Sequence, residues 1–410
     1  MKFEFFLAKR IISTKAYKSS ISAPIIKIGI VAIALSVIVM LISISTGIGL
    51  QNEIRDKVSA FNGHIQISNF DSNNSEESIR PINVSMDLLQ ALGSINNIKS
   101  LNQIGLKFGI IRTSENFDGA LFKGVDSTYN WSNISDYVIS GFTPNISSLT
   151  SNEVLISDNL SNKLDLKIND SFQMIFSRNL ESKVIIRKFN IVGLYDSGFN
   201  EIDENIIFGD LKHLKRINNW NNNQSGAIEI FIDDYSLLSE TSSIIYQSTP
   251  SNYNSINIKQ KYSSIFDWIQ IFDKNIIAIL FIMVLVCSIN IISVLLVLIL
   301  ERTNMIGILK SIGADNSSIK RVFLIIVSYI IFLGLLIGNL VGLGLLFAQK
   351  KLSLIKLDPE IYYTSQVPVY LSLDYVLILN LFTFLVCLFS IVIPSFLISK
   401  ISPIDSIKFR

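Results

Sequence analysis

Histidine and cysteine are almost missing from this chain, with two of each in 410 residues. His64 and His213 are far apart and have no metal-ligand spacing. With only Cys287 and Cys387 beside them, a Cys/His zinc site and a disulfide framework are both excluded. A dominant charge is missing too. Lys plus Arg number 35 and Asp plus Glu 33, a formal charge of +2 that gives no reason to expect nucleic acid as a partner. There is no G-x-x-x-x-G-K-[ST] phosphate loop, no G-x-S-x-G elbow and no Ser/His/Asp arrangement of a known nucleophile. The chain is therefore not expected to be an enzyme by itself, to bind a metal or to hold a cofactor, and any energy it uses comes from elsewhere. Charged residues make up only 17% against 49% hydrophobic ones, and mean hydropathy is +0.45. That is high for a soluble globular protein, and the uneven distribution of apolar residues says more than the mean.

Four runs carry no charge at all: Ile28–Leu50, Asn275–Leu300, Val322–Gln349 and Tyr375–Ser399. The first has 23 residues, about 35 Å as a helix, enough for a hydrocarbon core of about 30 Å. It exceeds the apolar core of a signal peptide and no A-x-A-like site follows, so it reads as an uncleaved anchor. None of the four contains Asp, Glu, Lys, Arg or His, which argues against a proton- or ion-coupled carrier. Basic residues set the orientation. Lys2, Lys9, Arg10, Lys15, Lys18 and Lys27 precede the first run, while Arg302, Lys310, Lys320 and Arg321 lie between the second and third. Lys400, Lys408 and Arg410 follow the fourth. Residues 1–27, the 301–321 loop and the 400–410 tail are expected on the cytoplasmic side, leaving 51–274 and 350–374 outside. Lys350, Lys351 and Lys356 oppose this mildly, among Asp358, Glu360 and Asp374. The N-terminal segment mixes Phe and Ile with Lys and Arg and is expected to lie on the membrane surface as an amphipathic helix.

The fold expected is an integral membrane α-helical protein with four transmembrane helices (28–50, 275–300, 322–349, 375–399) and a large α+β domain, 51–274, between the first two. HIQIS, LKFGIIR, GALFKGV, SFQMIFS, KVIIRKFNIVGLY and AIEIFI read as its strands. MDLLQAL, DNLSNKL and GDLKHLKRI read as helices, the last two opened by Asp or Gly signals. The mixed order predicts two lobes, and DSNNSEESIRP at 71–81 reads as a polar loop. Both cysteines fall inside spans, so the exported domain must be stable without a disulfide.

Three further features stand out. Gly334, Gly338 and Gly342 share one face of the third span, where small residues let another helix approach, in this chain or in a second copy. Asn290 and Asn339 are polar positions inside spans, suited to hydrogen bonds between helices. The loop ERTNMIGILKSIGADNSSIKRVF places Met305, Ile306, Leu309 and Ile312 at helical spacing, with Gly313 as a stop and Ser317–Ser318 as the next cap. A short amphipathic helix between two spans is a docking element for a cytoplasmic partner, or a helix lying on the lipid surface.

At this loop the sequence resembles the permeases of type VII ABC transporters, which include MacB- and FtsX-like members and share the pattern E-R-x-x-x-I-G-x-L-K-x-x-G-A. Glu301, Arg302, Ile306, Gly307, Leu309, Lys310, Gly313 and Ala314 match it, while Met305 stands where an acidic residue is usual. Within that superfamily the chain is most similar to the LolC/LolE lipoprotein-releasing permeases. GLQNEI and FNGHIQI (Gly63 for the usual proline), LFKGVD, SDYVISG, NEVLISDNLSNKLDLKINDSF and FNIVGLYDSGFNEIDENIIF follow the family's order. So do AIEIFIDD, LDPEIYYTSQVPVYL and the tail PSFLISKISPIDSIKF. The resemblance implies a MacB-like core domain in the periplasm and a coupling helix inserted into a LolD-like ATPase subunit that binds ATP-Mg. It also implies a second permease copy or paralogue, lipoprotein substrates taken from the outer leaflet of the bacterial inner membrane, and a LolA-like periplasmic carrier. In the family one permease type recruits the carrier through a hairpin, here FSRNLESKVIIRKF with Arg178, Lys183, Arg187 and Lys188. An apolar cavity for the lipid anchor is expected from Met40, Leu41, Ile44 and Ile48 on the first span with Ile276, Leu280 and Val284 on the second; lipid contact or core packing is the alternative for each. Two rival readings are an efflux or mechanotransmission permease of the same superfamily, and a membrane regulator of a periplasmic enzyme.

Overall fold

The computed structural model describes residues 2–13, 22–70, 76–114, 116–177 and 184–400. These form two compact units. One comprises Met1–Gln51, Ile269–Lys356 and Val367–Arg410, and the other Asn52–Trp268 with Leu357–Gln366.

Among the described residues, four helices are long and apolar enough to cross a membrane: Pro24–Asn62, Ser263–Glu301, Asn316–Leu352 and Leu373–Phe396. The chain is a membrane protein. Three of the four have 37 to 39 residues, where about 20 suffice for a bilayer, so each extends well beyond its charge-free run. Their shared core is aliphatic, with Ile33, Val37, Leu41, Ile291, Leu295, Ile326, Val327 and Ile330 buried together. The helix Lys2–Ser13 packs into this unit through Ala8, and its Glu4 pairs with Arg321 at 3.5 Å. Phe3, Phe5 and Phe6 stay exposed. Asn339 and Asn380 exchange amide hydrogen bonds of 2.6 and 2.9 Å between the third and fourth spans. The reciprocal pair satisfies both groups where no water is available. Asn290 is half-buried and makes no such bond among the described residues.

The second unit is built on strands β1 (Ile65–Asn69), β2 (Ile82–Asn83), β3 (Ile98–Arg112), β4 (Phe117–Val125), β5 (Val138–Gly141) and β6 (Glu153–Ser157). They are followed by β7 (Ser171–Ser177), β8 (Val184–Tyr195), β9 (Ile206–Asp210), β10 (Gln224–Ser225), β11 (Ala227–Ile232) and β12 (Tyr253–Asn257). Ten of these form one sheet in the order β12-β1-β11-β3-β4-β9-β6-β8-β5, and β7 pairs with both β3 and β8. The pairings β3-β4-β9-β6-β8-β7 thus close into a ring, which leaves no free edge among those six strands. Inside it Phe122 stacks on Phe189 with centroids 5.0 Å apart and meets Phe176 edge-on. The expected two lobes are replaced by this single continuous sheet, because β3 is long enough to serve β11 at one end and β7 at the other. Between those partners, Ser78 and Glu77 of the polar loop bond the β3 backbone at Leu106 and Phe108.

The six strands read from the sequence are all strands, and the three helices form as Met86–Gly93, Asp158–Leu164 and Leu211–Ile217. Their caps are Ser85, Ser157 and Asp210, each accepting a backbone N–H of the first turn. Gly63 ends the first long helix at φ +69° and donates to Ser59 O. Proline has neither that φ nor an N–H, so it could not close the helix end in this way. The segment Leu357–Gln366, far along the chain, also belongs to this unit, which is therefore more than an insert between the first two spans.

Candidate functional site

The loop after the second span folds as the helix Thr303–Ser311. Its amphipathic pattern is resolved differently from the sequence expectation. Ile306 and Gly307 are buried in the membrane unit's core, and Leu309 and Ala314 pack against it. Ile308 and Ile312, four residues apart, are the exposed ones at 51% and 79%. Ile312 therefore does not share a face with Ile306. Lys310 faces its own chain, its Nζ donating to Ile398 O at 2.7 Å. Partial burial, and then the nearby Lys320, hold its ammonium below the usual lysine range. Gly313, at φ +98°, closes the helix while Ala314 N donates to Leu309 O. The cap of the next helix is Asp315, not Ser317–Ser318. Ser317 and then Ser318 donate to the Asp315 carboxylate and hold it down to about 2. Glu301 is exposed, Met305 half-buried, and Arg302 half-buried with a buried Nε that has no partner among the described residues. Ile306, Gly307, Leu309 and Ala314 thus seat this helix, and the large apolar side chains it leaves exposed are Ile308 and Ile312.

The glycine stripe of the third span meets the first span of the same chain. A Cβ at Gly334 would lie 2.7 Å from Ile33 Cβ, at Gly338 2.8 Å from Val37 Cβ, and at Gly342 3.0 Å from Leu41 Cδ1. These glycines hold the third span against the first within one chain.

Met40 and Leu41 are covered by the same packing, at 1% and 3% exposure, and are core rather than cavity wall in this chain. Ile44, Leu280 and Val284 are half-buried against that core, and Ile48 and Ile276 are half-buried as well. Ile276 lies over Gly47, where a Cβ would come within 2.4 Å of its Cδ1. Cys287 and Cys387 are buried free thiols.

Arg178 and Lys183, between β7 and β8 in sequence, lie outside the described residues. In β8, Lys188 is exposed and Arg187 half-buried, one on each face of the strand. The register Ile110–Ile175–Ile186 sets three isoleucines side by side across β3, β7 and β8. Ile110 and Ile186 are 49% and 54% exposed. Arg112, Gln173 and Lys188 form the next row on that face.

His64 and His213 are structural. His64 Nδ1 accepts from Ile232 N at 3.3 Å, and burial pulls the imidazole down to about 4. His213 Nε2 is 2.9 Å from Ser151 O, so it carries the proton. No cluster of metal-ligating side chains occurs among the described residues.

The comparisons with known proteins bear on this geometry directly. Residues 277–403, which carry the seated loop helix and the glycine-packed span, match the FtsX-like permease C-terminal family. Over nearly its whole length the chain aligns with the "Lipoprotein-releasing system transmembrane protein LolC" of Buchnera aphidicola subsp. Schizaphis graminum, 25% identical over 386 residues and 92% of each chain. The chain is thus similar to the LolC/LolE-type permeases. The protein of the same name from Xylella fastidiosa strain Temecula1 is 20% identical over 396 residues, 93% of each chain. Among solved structures, the periplasmic region of MacB from Actinobacillus actinomycetemcomitans aligns with 50% of this chain and 93% of its own, at 13% identity and a TM-score of 0.33. In this chain, sequence reasoning passed over Ile308, whose signal was its i, i+4 spacing with Ile312, and Asn380, the partner of Asn339. It also missed the buried pair Lys123–Glu229, whose residues are 106 positions apart.

Proposed function

We propose that this permease extracts lipoproteins from the outer leaflet of the bacterial inner membrane and hands them to a LolA-like periplasmic carrier, driven by a LolD-like ATPase in a separate subunit. The observation that carries the reading is the Thr303–Ser311 helix, rooted in the membrane unit by Ile306 and Gly307 while Ile308 and Ile312 stay exposed. A rigid seat with an apolar outer pair suits a helix that receives a push and passes it to the spans. The names of the LolC relatives support the cargo. In this reading both termini are cytoplasmic and the second unit, with the 350–374 loop, is periplasmic. A second permease copy or paralogue completes the transporter.

The physics fits the cargo. A lipid anchor buries many methylenes at about 0.8 kcal/mol each, so release on a useful timescale requires coupled ATP hydrolysis. Ile44, Ile48, Ile276, Leu280 and Val284 are the apolar side chains offered to the acyl chains from the first two spans. The β7–β8 face, with its isoleucine row and Lys188, is the surface offered to the carrier.

The test is reconstitution with the ATPase in lipid vesicles holding a triacylated lipoprotein, following its release to the carrier. ATP-dependent release is expected, and Ile308→Asp with Ile312→Asp is expected to abolish it at normal expression, whereas Ile306→Asp lowers the amount of folded protein. ATPase stimulation without release would overturn the extraction reading in favour of mechanotransmission.

A further inference from the structure

The second span carries an amide that nothing in its own chain answers. Asn290 is half-buried and makes no hydrogen bond among the described residues, yet its amide is open to the outside of the chain. It lies 16 residues after Lys274 and 11 before Glu301, the charges that bound the span, about 24 Å and about 16 Å along a helix. Water and lipid head groups are therefore out of reach in a hydrocarbon core of about 30 Å. The backbone N–H groups around it are engaged within the helix, so Oδ1 finds no donor on its own span. Asn339 and Asn380 show how this chain resolves the same difficulty elsewhere: two primary amides each donate and accept, at 2.6 and 2.9 Å. Around Asn290, Val286 and Ile289 are 39% and 62% exposed and Ser293 is exposed, all within about one turn. Ser293 Oγ donates to Ile289 O. The outer face here is thus apolar, with one small residue and a single unmatched amide, while Cys287, Ile291 and Val294 on the other flank are buried in the chain's own core.

We propose that Asn290 pairs with Asn290 of a second copy of this chain across a two-fold axis along the membrane normal, with Val286, Ile289 and Ser293 packed around the pair. The inference rests on the transport reading only for the presence of a second permease. Depth selects the partner. Two copies inserted in the same orientation carry Asn290 at the same level, so one primary amide meets another and each supplies what the other lacks. The acyl chains of lipids or of an anchored cargo supply no donor there. The small side chain of Ser293 lets the two helices approach closely enough for the amides to meet.

The experiment uses the full chain in lipid vesicles, without ATPase or cargo, with Cys287→Ala and Cys387→Ala removing the native thiols. On oxidation, Ser293→Cys is expected to give a disulfide-linked dimer. Phe281→Cys, 64% exposed but two and a half turns from Asn290 and so on the opposite side of the helix, is expected to stay monomeric. Energy transfer between C-terminally labelled copies, followed as the vesicles are diluted with lipid, gives the association constant. Asn290→Leu should weaken association about tenfold, the size of an interhelical amide pair. Asn290→Gln, which keeps the amide, should retain most of it. Asn290 bonds nothing in its own chain, so neither change removes an internal hydrogen bond. A chain that stays monomeric, as one that pairs only with a paralogue would, cross-linking as strong at Phe281→Cys, or association unchanged in Asn290→Leu would each overturn the pairing. Transport plays no part in this readout. Failed release with the dimer intact would sink only the extraction reading, and release without the Ser293→Cys cross-link would sink only the pairing.

Discussion

At the scale of single residues, two buried titratable groups pull stability in opposite directions over the same pH range. His64 is held neutral chiefly by burial, with Arg55 and Lys99 adding to the effect, and its pKa falls from 6.5 to about 4. The folded state then binds fewer protons than the unfolded one, so its contribution is present above pH 6.5 and is lost as pH falls towards 4. Asp203 accepts the N–H groups of Ser197 and Phe199, yet burial raises it from 3.8 to about 6. Its folded form holds a proton more tightly, so stability falls as pH rises from 4 to 6. The two slopes oppose each other in the native protein. His64→Asn keeps an acceptor for Ile232 N and removes one slope. Hydrogen exchange of the β11 amides, corrected for intrinsic rate, should then show protection falling more steeply between pH 4 and 6 than in the native chain. Asp203→Asn should reverse the sign, with protection rising between pH 4 and 6.5.

Among the elements, the third span shows how position rather than residue type decides a glycine's role. Gly338 sits against Val37 Cβ and Ala34 O, with a built Cβ only 2.8 and 2.9 Å away, while at Gly344 a Cβ meets nothing within 4 Å. Backbone and a β-branched side chain cannot withdraw, so Gly338→Ala forces the first and third spans apart. Gly344→Ala instead improves helix propensity by up to about 1 kcal/mol. Disulfide cross-linking between cysteines placed on these two spans should fall at least severalfold in Gly338→Ala and be unchanged in Gly344→Ala. The loop helix follows the same logic. Its amphipathic spacing is written in the sequence, but which side of it is covered depends on where the spans place their ends. Ile306 was thus grouped with Ile312 by spacing alone, although one is buried and the other 79% exposed.

Across the whole molecule, the chain returns late to a unit it has already built. Tyr363 stacks on Phe199 with centroids 4.1 Å apart and meets Trp268 edge-on, and its carbonyl accepts from Lys57 Nζ at 3.1 Å. Four segments widely separated in sequence meet there. Tyr363→Ala should increase exchange at the Ser197 and Phe199 amides about tenfold, while Tyr363→Phe, which keeps the ring stack, leaves it near the native rate. The stack could not be read in advance, because aromatic residues carry no periodic signal and their partners lie more than 90 positions away.

What the sequence alone determined is everything governed by local pattern and length. The four charge-free runs, the alternating strands and the capped helices follow from burial periodicity and from the need to satisfy backbone groups inside a bilayer. The order of short family-like segments, from GLQNEI to the C-terminal tail, carried the LolC/LolE likeness in the same way. Only the tertiary structure decided that β7 closes the sheet into a ring, that the glycine stripe meets the first span, and that Lys310 bonds Ile398 O. It alone paired Lys123 with Glu229. Each of these depends on which distant segment occupies the facing space, and a linear pattern specifies that a surface is apolar or small without specifying what will cover it.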